Sequence, residues 1–486
     1  MKYRLNRFTR RQIPMRKYRK YVGSAMVFVM NVLMIIMLLQ CFIHFLAPYN
    51  HHLLRFSRIF AIIVITFPVM YAALSRLFGG YDVGVERKKN IVFSLSLRVL
   101  LTDVFTYVEY LIMSYHSIVR NTLAPREGEI RSLLFAFVVQ MIIITVMTVI
   151  GSFLYYKIQP PEKCCLITSS TEELKHVVPK IRKYQRRFTI ETIVDHRDPE
   201  VHKRIKEHET IFFCGIPTDE RIRLIEYGYH QNKNIYYSGE ISDVITRYSR
   251  IMILDDLPFM EVRSDRMRFE QRVLKRAIDI IFSLAGLIIT SPIMLVCAIA
   301  VKLCDGGPVF YRQDRITGDD RVFSIYKFRT MYEKSGKDFR SAGVNDDRIT
   351  PIGRIIRKTR MDELPQLINI IRGDMSIVGP RPEMVSNVQK YLGELPEFKY
   401  RTRMKAGLTG IAQIEGKYNT SPRDKLILDL MYIENFSIWL DIKLMINTLK
   451  IFFKQDSTEG FHSEDYPELE NYRFIADEIE KKSANG

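Results

Sequence analysis

Between Asp305 and Lys454 the chain holds neither a histidine nor a cysteine, and the nearest histidines are His230 and His462. Imidazole acid–base chemistry, thiol nucleophiles and histidine-based zinc sites are excluded from that segment. Carboxylates, lysines, hydroxyls and tyrosines remain, among many arginines. That set suits phosphate chemistry carried out by carboxylates. The leading candidate is Asp362-Glu363-Leu364-Pro365-Gln366. Aspartate is a favoured N-cap and proline fits a first helical turn, so the string predicts a helix starting at Asp362. The positive end of that helix would favour an ionised carboxylate and a phosphate beside it. Arg354, Arg357, Lys358 and Arg360 stand just before the pair. Taken alone, paired acids beside bases also describe an ordinary solvated helix.

Three other strings add to the case. Lys327-Phe328-Arg329-Thr330-Met331 follows a predicted strand and sets Lys327 and Arg329 on one side, as a diphosphate clamp requires. In Val378-Gly379-Pro380-Arg381-Pro382, two prolines stiffen a loop from which Arg381 projects. Gly407-Leu408-Thr409-Gly410 reads as a turn that lets backbone amides approach a ligand.

These strings need elements to position them. An apolar run from Ala277 to Val301 comes immediately before, with Asp279 near its start and Ser291-Pro292 in its middle. Its length allows a transmembrane helix. Pro292 removes a backbone donor and kinks a helix, which favours a re-entrant helix–break–helix hairpin, with the Ser291 hydroxyl as a local partner for the broken backbone. Four earlier apolar runs, Tyr21–Ala47, Ile59–Phe78, Ile91–Ser114 and Ser132–Tyr156, are each long enough to span a bilayer. The first is too long for a cleavable signal sequence. Nine basic and no acidic residues in 1–20 put the N-terminus in the cytoplasm. Four crossings return the chain to that side, and a fifth would carry the acid pair away from nucleotide-activated substrates. Arg98, Asp103 and Glu109 within the third run mark either an intramembrane functional site or contacts between helices.

From Lys163 to Val262 short strands alternate with helices, predicting a doubly wound α/β domain. Strands are expected at Cys164–Thr168, Thr189–Val194, Thr210–Cys214, Asn234–Ser238 and Arg250–Leu254. Thr168-Ser169-Ser170-Thr171 stands where a dinucleotide fingerprint would have glycines. A nucleotide site and a docking or regulatory module both fit that domain.

The chain has 486 residues and a net charge of +18, which allows nucleic acid, anionic lipid or phosphorylated substrates as partners. Its basic residues are spread over membrane flanks and the acid-pair region, with no nucleic-acid fold motif, so no nucleic-acid partner is expected. The six cysteines, Cys41, Cys164, Cys165, Cys214, Cys297 and Cys304, form no metal-binding spacing and no disulfide framework.

The order of the strings carries a resemblance. From about Arg272 to Phe453 the chain resembles the bacterial sugar transferases, the monotopic phosphoglycosyl transferases that start capsule and exopolysaccharide synthesis. The matching pieces are the Ser-Pro-broken apolar run, GPVFYRQ (Gly307–Gln313), KFRTM, DELPQ, GDMSIVGPRP (Gly373–Pro382), GLTGIAQ (Gly407–Gln413) and YIENFSIWLDI (Tyr432–Ile442). The four spans and the α/β module are similar to the large, multi-domain form of that family. Ala406 stands where the family usually has proline, and Ile411 where an aromatic is frequent, a departure that bears on sugar or uridine contacts.

The resemblance implies a membrane protein of α plus α/β class: a basic segment 1–20, a four-helix transmembrane bundle over 21–158, and a Rossmann-like (CoA-binding-like) α/β domain over 159–262. A monotopic catalytic domain over 263–455, with a re-entrant hairpin at 273–303, and an acidic tail over 456–486 complete it. The implied activity moves sugar-1-phosphate from a UDP-sugar to undecaprenyl phosphate in the bacterial inner membrane, with release of UMP. Asp362 would be the nucleophile and Glu363 the ligand of Mg²⁺. Lys327, Arg329, Arg357, Gly379, Pro380, Arg381 and Thr409 would contact substrate, with Ser291 and Pro292 breaking the hairpin. Glucose or galactose is the expected sugar, with an N-acetylhexosamine as the alternative. Lys275, Arg276 and Lys302 would lie among lipid headgroups. A homo-oligomer, or an inert membrane scaffold for polysaccharide assembly, stays compatible with the sequence.

Overall fold

The computed structural model describes residues 15–84, 86–115, 124–262, 267–332, 348–416 and 420–451. Most of the basic segment 1–20 and all of the acidic tail 456–486 lie outside them. The chain divides into two compact units between Ser238 and Gly239.

The first unit begins with four helices, α1 (Met15–Leu46), α2 (Arg58–Phe78), α3 (Lys88–Ser114) and α4 (Glu127–Ile158). Each covers one of the predicted apolar runs. Ser57 caps α2 by accepting from the Phe60 amide, and Gly79, at φ +89°, ends it. The helices share a core of Met34, Leu38, Phe42, Phe67, Leu95, Val99 and Ile144. Their outer faces are equally apolar, with Phe28, Ile65, Val69, Phe135, Ile142 and Phe153 exposed. An exterior as apolar as the core suits lipid and not water. Together with a later helix, Phe269–Asp305, the described residues hold five helices long and apolar enough to cross a membrane. Three charged residues within α3 face neutral groups on neighbouring helices. Arg98 donates to the Tyr71 hydroxyl (3.1 Å), Asp103 accepts from the Gln140 amide (3.2 Å), and Glu109 accepts from Thr66 (2.6 Å).

The α/β part follows as β1 (Glu162–Thr168), α5 (Thr171–Arg182), β2 (Phe188–Asp195), α6 (Val201–Glu207), β3 (Thr210–Cys214), α7 (Thr218–His230) and β4 (Asn234–Tyr237). The strands form one parallel sheet in the order β2-β1-β3-β4. Helices on both faces bury β1 from Cys164 to Thr168, which explains its unbroken apolar run. The expected fifth strand does not join this sheet. Arg250–Leu254 (β5) pairs antiparallel with Leu257–Glu261 (β6), after α8 (Ile241–Arg247), and all three belong to the second unit. Asp255 takes φ +60° in the two-residue turn between them, so local hairpin closure wins over a long crossover.

The second unit is built on α9 (Phe269–Asp305), 37 residues and about 55 Å long. Its backbone stays helical across Ser291-Pro292, so the expected interruption is a proline inside one helix. Pro292 has no N–H for the Ile288 carbonyl, and the Ser291 hydroxyl donates to that oxygen instead (2.8 Å). Next come the hairpin of β7 (Phe310–Ile316) and β8 (Val322–Phe328), then α10 (Pro351–Lys358), α11 (Gln366–Arg372), β9 (Ser376–Val378), α12 (Val385–Glu394), β10 (Gly407–Thr409), α13 (Ile411–Glu415), α14 (Pro422–Glu434) and α15 (Ile438–Ile451). β9 and β10 pair in parallel.

α9 is docked on either side of Pro292. Buried Lys275 reaches Asp441 (2.6 Å), the Val378 carbonyl (3.0 Å) and the Tyr432 hydroxyl (3.3 Å). One turn on, Asp279 accepts from the Ser376 hydroxyl and the Ile377 amide, both at 3.0 Å. Arg276 donates to the carbonyls of Ile370 (2.6 Å) and Ile371 (2.7 Å) at the end of α11. Beyond Pro292, Met294, Cys297, Ala298 and Val301 pack with Phe328, Ile352 and Ile356, and Asp305 forms a two-point pair with Arg329. Lys302 donates to the Gly306 carbonyl (2.7 Å). Lys275 and Arg276, expected among headgroups, are thus engaged with protein, whereas Lys302 stays exposed beside the end of its own helix. Truncating one member of the buried pair leaves the other uncompensated. Lys275→Ala or Asp441→Ala is therefore expected to cost about 3–5 kcal/mol, and the double replacement Lys275→Met/Asp441→Leu much less, read by unfolding of the purified protein in detergent.

Candidate active site

The site is assembled from four short pieces of the second unit. Strand β8 turns Phe323 and Ile325 into the core, and its alternation puts Lys327 on that same side. Fully buried Asn369 on α11 fixes the strand's position. Its side-chain oxygen accepts from the Tyr326 amide and its nitrogen donates to the Ser324 carbonyl, both at 2.9 Å. The sequence reading missed this residue, although it lies just seven positions after Asp362.

α10 starts at Pro351, with the Thr350 hydroxyl accepting from the Gly353 amide (2.9 Å). After it, Arg360 takes a left-handed backbone at φ +55°, unusual for a residue with a side chain. It sharply turns the chain into a single 3₁₀ turn, Met361–Glu363. α11 begins only after Pro365, so Asp362 is not its N-cap. The carboxylate sits on the connection between two helices, in the turn that precedes α11.

Burial and neighbouring charges set its state. Lys327 Nζ lies 2.9 Å from Glu363 Oε1 and 3.9 Å from Asp362 Oδ2. Arg381 Nη2 lies 3.4 Å from the same Glu363 oxygen. Burial pushes Asp362 up to about 6, with Lys327 opposing and the Glu363 charge adding to the rise. Burial also works against ionised Glu363, but Lys327 and Arg381 outweigh it and hold that carboxyl well below its ordinary range. Two adjacent acids are thereby split into a firmly ionised one and one that titrates near neutrality. Glu363 spends Oε1 on both cations, and Asp362 makes no hydrogen bond among the described residues. Arg357 adds its positive field at Asp362, and its Nη1 is buried without a hydrogen-bond partner.

Arg381 is held by its backbone. The Gly379 amide donates to the Thr409 carbonyl and the Gly407 amide to the Pro380 carbonyl, both at 2.8 Å. Arg401 donates to the Arg381 carbonyl (2.7 Å) and Arg315 to that of Pro382 (3.2 Å). Arg401 is itself fixed by buried Asp429 (2.7 Å), and Lys425 reaches Glu383 (3.3 Å). These supporting groups escaped the sequence reading, because their partners lie far along the chain.

Three expected substrate contacts are engaged elsewhere. Arg329 is bound to Asp305, so the two cations of the KFRTM string do not form one clamp: Lys327 meets the acid pair and Arg329 ties down the end of α9. Thr409 shares a hydrogen bond with the Thr448 hydroxyl (2.6 Å). Gly379 and Gly407 serve a close approach of one backbone to another: a Cβ on Gly407 would lie 2.0 Å from the Gly379 nitrogen. Ala406, at the departure from the family pattern, donates its amide to the Thr317 hydroxyl (3.0 Å), a bond that proline could not make.

A sequence profile described as "Bacterial sugar transferase" matches residues 270–455. An Aeromonas hydrophila UDP-N-acetylgalactosamine-undecaprenyl-phosphate N-acetylgalactosaminephosphotransferase is 37% identical over 222 residues, which are 44% of this chain and 51% of the relative. An Escherichia coli UDP-glucose:undecaprenyl-phosphate glucose-1-phosphate transferase is 37% identical over 218 residues, 43% of this chain and 47% of the relative. The matched stretch thus spans about half the length of these two proteins. A Caulobacter vibrioides protein of the same name as the latter is 36% identical over 189 residues, 38% of this chain but 71% of the relative. With 71% of that relative matched, and the profile covering the segment that carries the acid pair, the chain belongs to the bacterial sugar transferase family.

Proposed function

We propose that the protein transfers sugar-1-phosphate from a UDP-hexose, with glucose or galactose as the sugar, to undecaprenyl phosphate, as the first membrane step of a surface polysaccharide. The observation that carries this reading is the split acid pair: Asp362 unbonded and Glu363 held between Lys327 and Arg381. The Asp362 carboxylate attacks the sugar-bearing phosphorus, the bond from phosphorus to the bridging oxygen of the diphosphate breaks, and UMP leaves. The oxygen of the lipid phosphate then attacks the same phosphorus and releases Asp362, a two-step exchange with ping-pong kinetics. Lys327, Arg357 and Arg381 supply fixed positive charge to the phosphates. Mg²⁺ fits this donor set as an ion shared with substrate: Glu363 has Oε2 uncommitted, and among the described residues no group of three His, Cys, Asp or Glu would hold a metal alone. Bound there by Glu363 and diphosphate oxygens, it would neutralise charge on the diphosphate.

The membrane side of the proposal rests on α9. Its outer face exposes Ile281, Leu284, Ile288, Ile289, Leu295 and Val296. Both of its halves pack on the same compact unit, whereas a helix that crosses a bilayer has its ends on opposite sides. That supports a re-entrant element kinked at Pro292, with the catalytic unit at the cytoplasmic face, where the headgroup of a lipid acceptor lies. The relatives also include an N-acetylgalactosamine enzyme, so an N-acetylhexosamine donor is the second reading.

Purified protein with undecaprenyl phosphate, Mg²⁺ and UDP-glucose or UDP-galactose is expected to release UMP, and Asp362→Asn to lower that release by about 1,000-fold or more. Full activity in Asp362→Asn would remove the nucleophile assignment, and silence of the wild type with every UDP-sugar would favour the scaffold reading. The same variant is expected to be more stable at pH 7 to 8. Asp362 titrates near 6 when folded against a reference of 3.8, so the folded state holds the extra proton in that window and loses stability as pH rises through it. The amide removes that loss, and the gain in Tm should vanish near pH 4. Activity should fall as pH drops below about 6. Lys327→Met removes the charge that lowers Asp362, so the acid limb should move up by about one pH unit, read from kcat against pH. A cysteine introduced at exposed Asp319 should be labelled from the cytoplasmic side only; labelling from outside intact cells would establish a fifth crossing.

A further inference from the structure

The helices α1 to α4 and the parallel sheet belong to one compact unit, and a cleft of about 820 Å³ opens where they meet. Ser152, Phe153 and Tyr156, in the last turns of α4, form its wall. Three cations reach it from separate places in the chain. Lys88 opens α3, Lys157 lies in the last turn of α4, and Arg186 comes from the loop between α5 and β2. The Arg186 guanidinium stands 5.5 Å from the centre of the Tyr156 ring. No acidic side chain lines the cleft, although Asp82 and Glu86 stand in the loop before α3. Lys88, Lys157 and Arg186 have no ion-pair partner among the described residues.

The start of α3 runs against helix electrostatics. The amide end of a helix is positive and favours acids. α5 and α7 follow that rule, with Glu172 and Glu173, and Asp219 and Glu220, in their first turns. α3 has no acid in its first turn and no side-chain cap, and it begins with Lys88 and Lys89. An anion at that end would answer both the open amides and the lysines. The bias of basic residues toward one side of a membrane accounts for Lys88 and Lys157, which flank apolar helices. It does not account for Arg186, which lies beyond the roughly 20 residues over which that bias operates and reaches the cleft by folding.

The wall of the cleft continues as an apolar stripe. Ile142, Val146, Val149 and Phe153 follow one another at helical spacing on α4 and are 58%, 47%, 48% and 66% exposed. The stripe is about 16 Å long, close to half of a hydrocarbon core about 30 Å thick. A cationic cleft at the end of such a stripe is complementary to a molecule with an anionic head and an acyl chain. A free phosphate would use only the head of that arrangement, and a nucleotide base would find the Tyr156 ring already covered by Arg186.

We propose that this cleft binds one anionic phospholipid of the bilayer, with its phosphate among Lys88, Lys157, Arg186 and the start of α3, and an acyl chain along α4. None of these residues belongs to the unit that carries the acid pair, and the inference does not rest on the transfer reading. It is tested by titrating the full-length protein in detergent with phosphatidylglycerol, with native mass spectrometry to count bound lipids. The wild type should hold one phosphatidylglycerol at least about tenfold more tightly than phosphatidylcholine. A cation near a headgroup changes affinity about fivefold, so Arg186→Gln should lose about that factor and Arg186→Lys should keep most of it. Lys88→Gln/Lys157→Gln/Arg186→Gln should lose about 100-fold, with the Tm of the lipid-free protein unchanged. Arg223→Gln, at an exposed position on α7, should bind as the wild type does. Equal affinity for the two lipids, full binding by Arg186→Gln, or an equal loss in Arg223→Gln would overturn the proposal. So would displacement by excess inorganic phosphate, which would assign the cleft to a free anion, or by equimolar undecaprenyl phosphate, which would assign it to a polyprenyl lipid.

Discussion

Two neighbouring carboxylates cannot both be ionised in a partly buried site unless positive charge is fixed between them. Lys327 meets that constraint here, and much of the second unit holds it in place. It touches Glu363 closely and Asp362 at 3.9 Å, so one acid is neutralised by contact and the other only by field. A lysine bonded equally to both would leave no free carboxylate. The asymmetry is geometric, and it depends on where β8 lies relative to the 3₁₀ turn. Asn369 sets that distance by bonding strand backbone on both sides of its amide.

The second positive charge reaches the site by a longer route. Arg381 follows β9, and β9 is tied to α9 through Lys275 and Asp279, one helical turn apart on the same face. The helix with the apolar outer face and the loop that carries Arg381 are therefore one mechanical piece. A displacement of α9 would move the Val378 carbonyl and, three residues later, Arg381. Burying a lysine and an aspartate for this purpose adds little net stability. What the pair contributes is a fixed register between an apolar helix, which can slide against lipid, and a charged site that tolerates little error.

Legibility from sequence followed the distance between interacting residues. The helices α1 to α4 were readable because hydropathy is local, and Asp362, Glu363, Lys327 and Arg381 were found because each sits in a short distinctive string. Arg329 looked equivalent to Lys327, but residue type does not say that Asp305 is the nearer partner. The Asp362 helix start failed because Arg360 takes a left-handed backbone, a state that arginine's propensity does not suggest. Lys275 and Asp441 are 166 positions apart, and no periodicity announces such a pair. The strand at Arg250–Leu254 was real but wrongly assigned to the parallel sheet, since pattern gives a strand's existence more readily than its partner.

The relatives sharpen what this constellation can decide. Proteins named for N-acetylgalactosamine, glucose and galactose transfer are 37%, 37% and 34% identical to this chain, a spread too small to rank the sugars. The charged groups gathered at Asp362 explain why. Lysine and arginine recognise phosphate oxygens through charge and are indifferent to the orientation of a hexose hydroxyl. Discrimination between such sugars requires hydrogen-bonding groups whose burial becomes costly when the wrong hydroxyl or acetamide arrives. Lys327, Glu363 and Arg381 are already engaged with one another and cannot serve that purpose. The residues that choose the sugar must therefore lie outside the four-charge cluster, so the chemistry of transfer and the identity of the sugar can change independently.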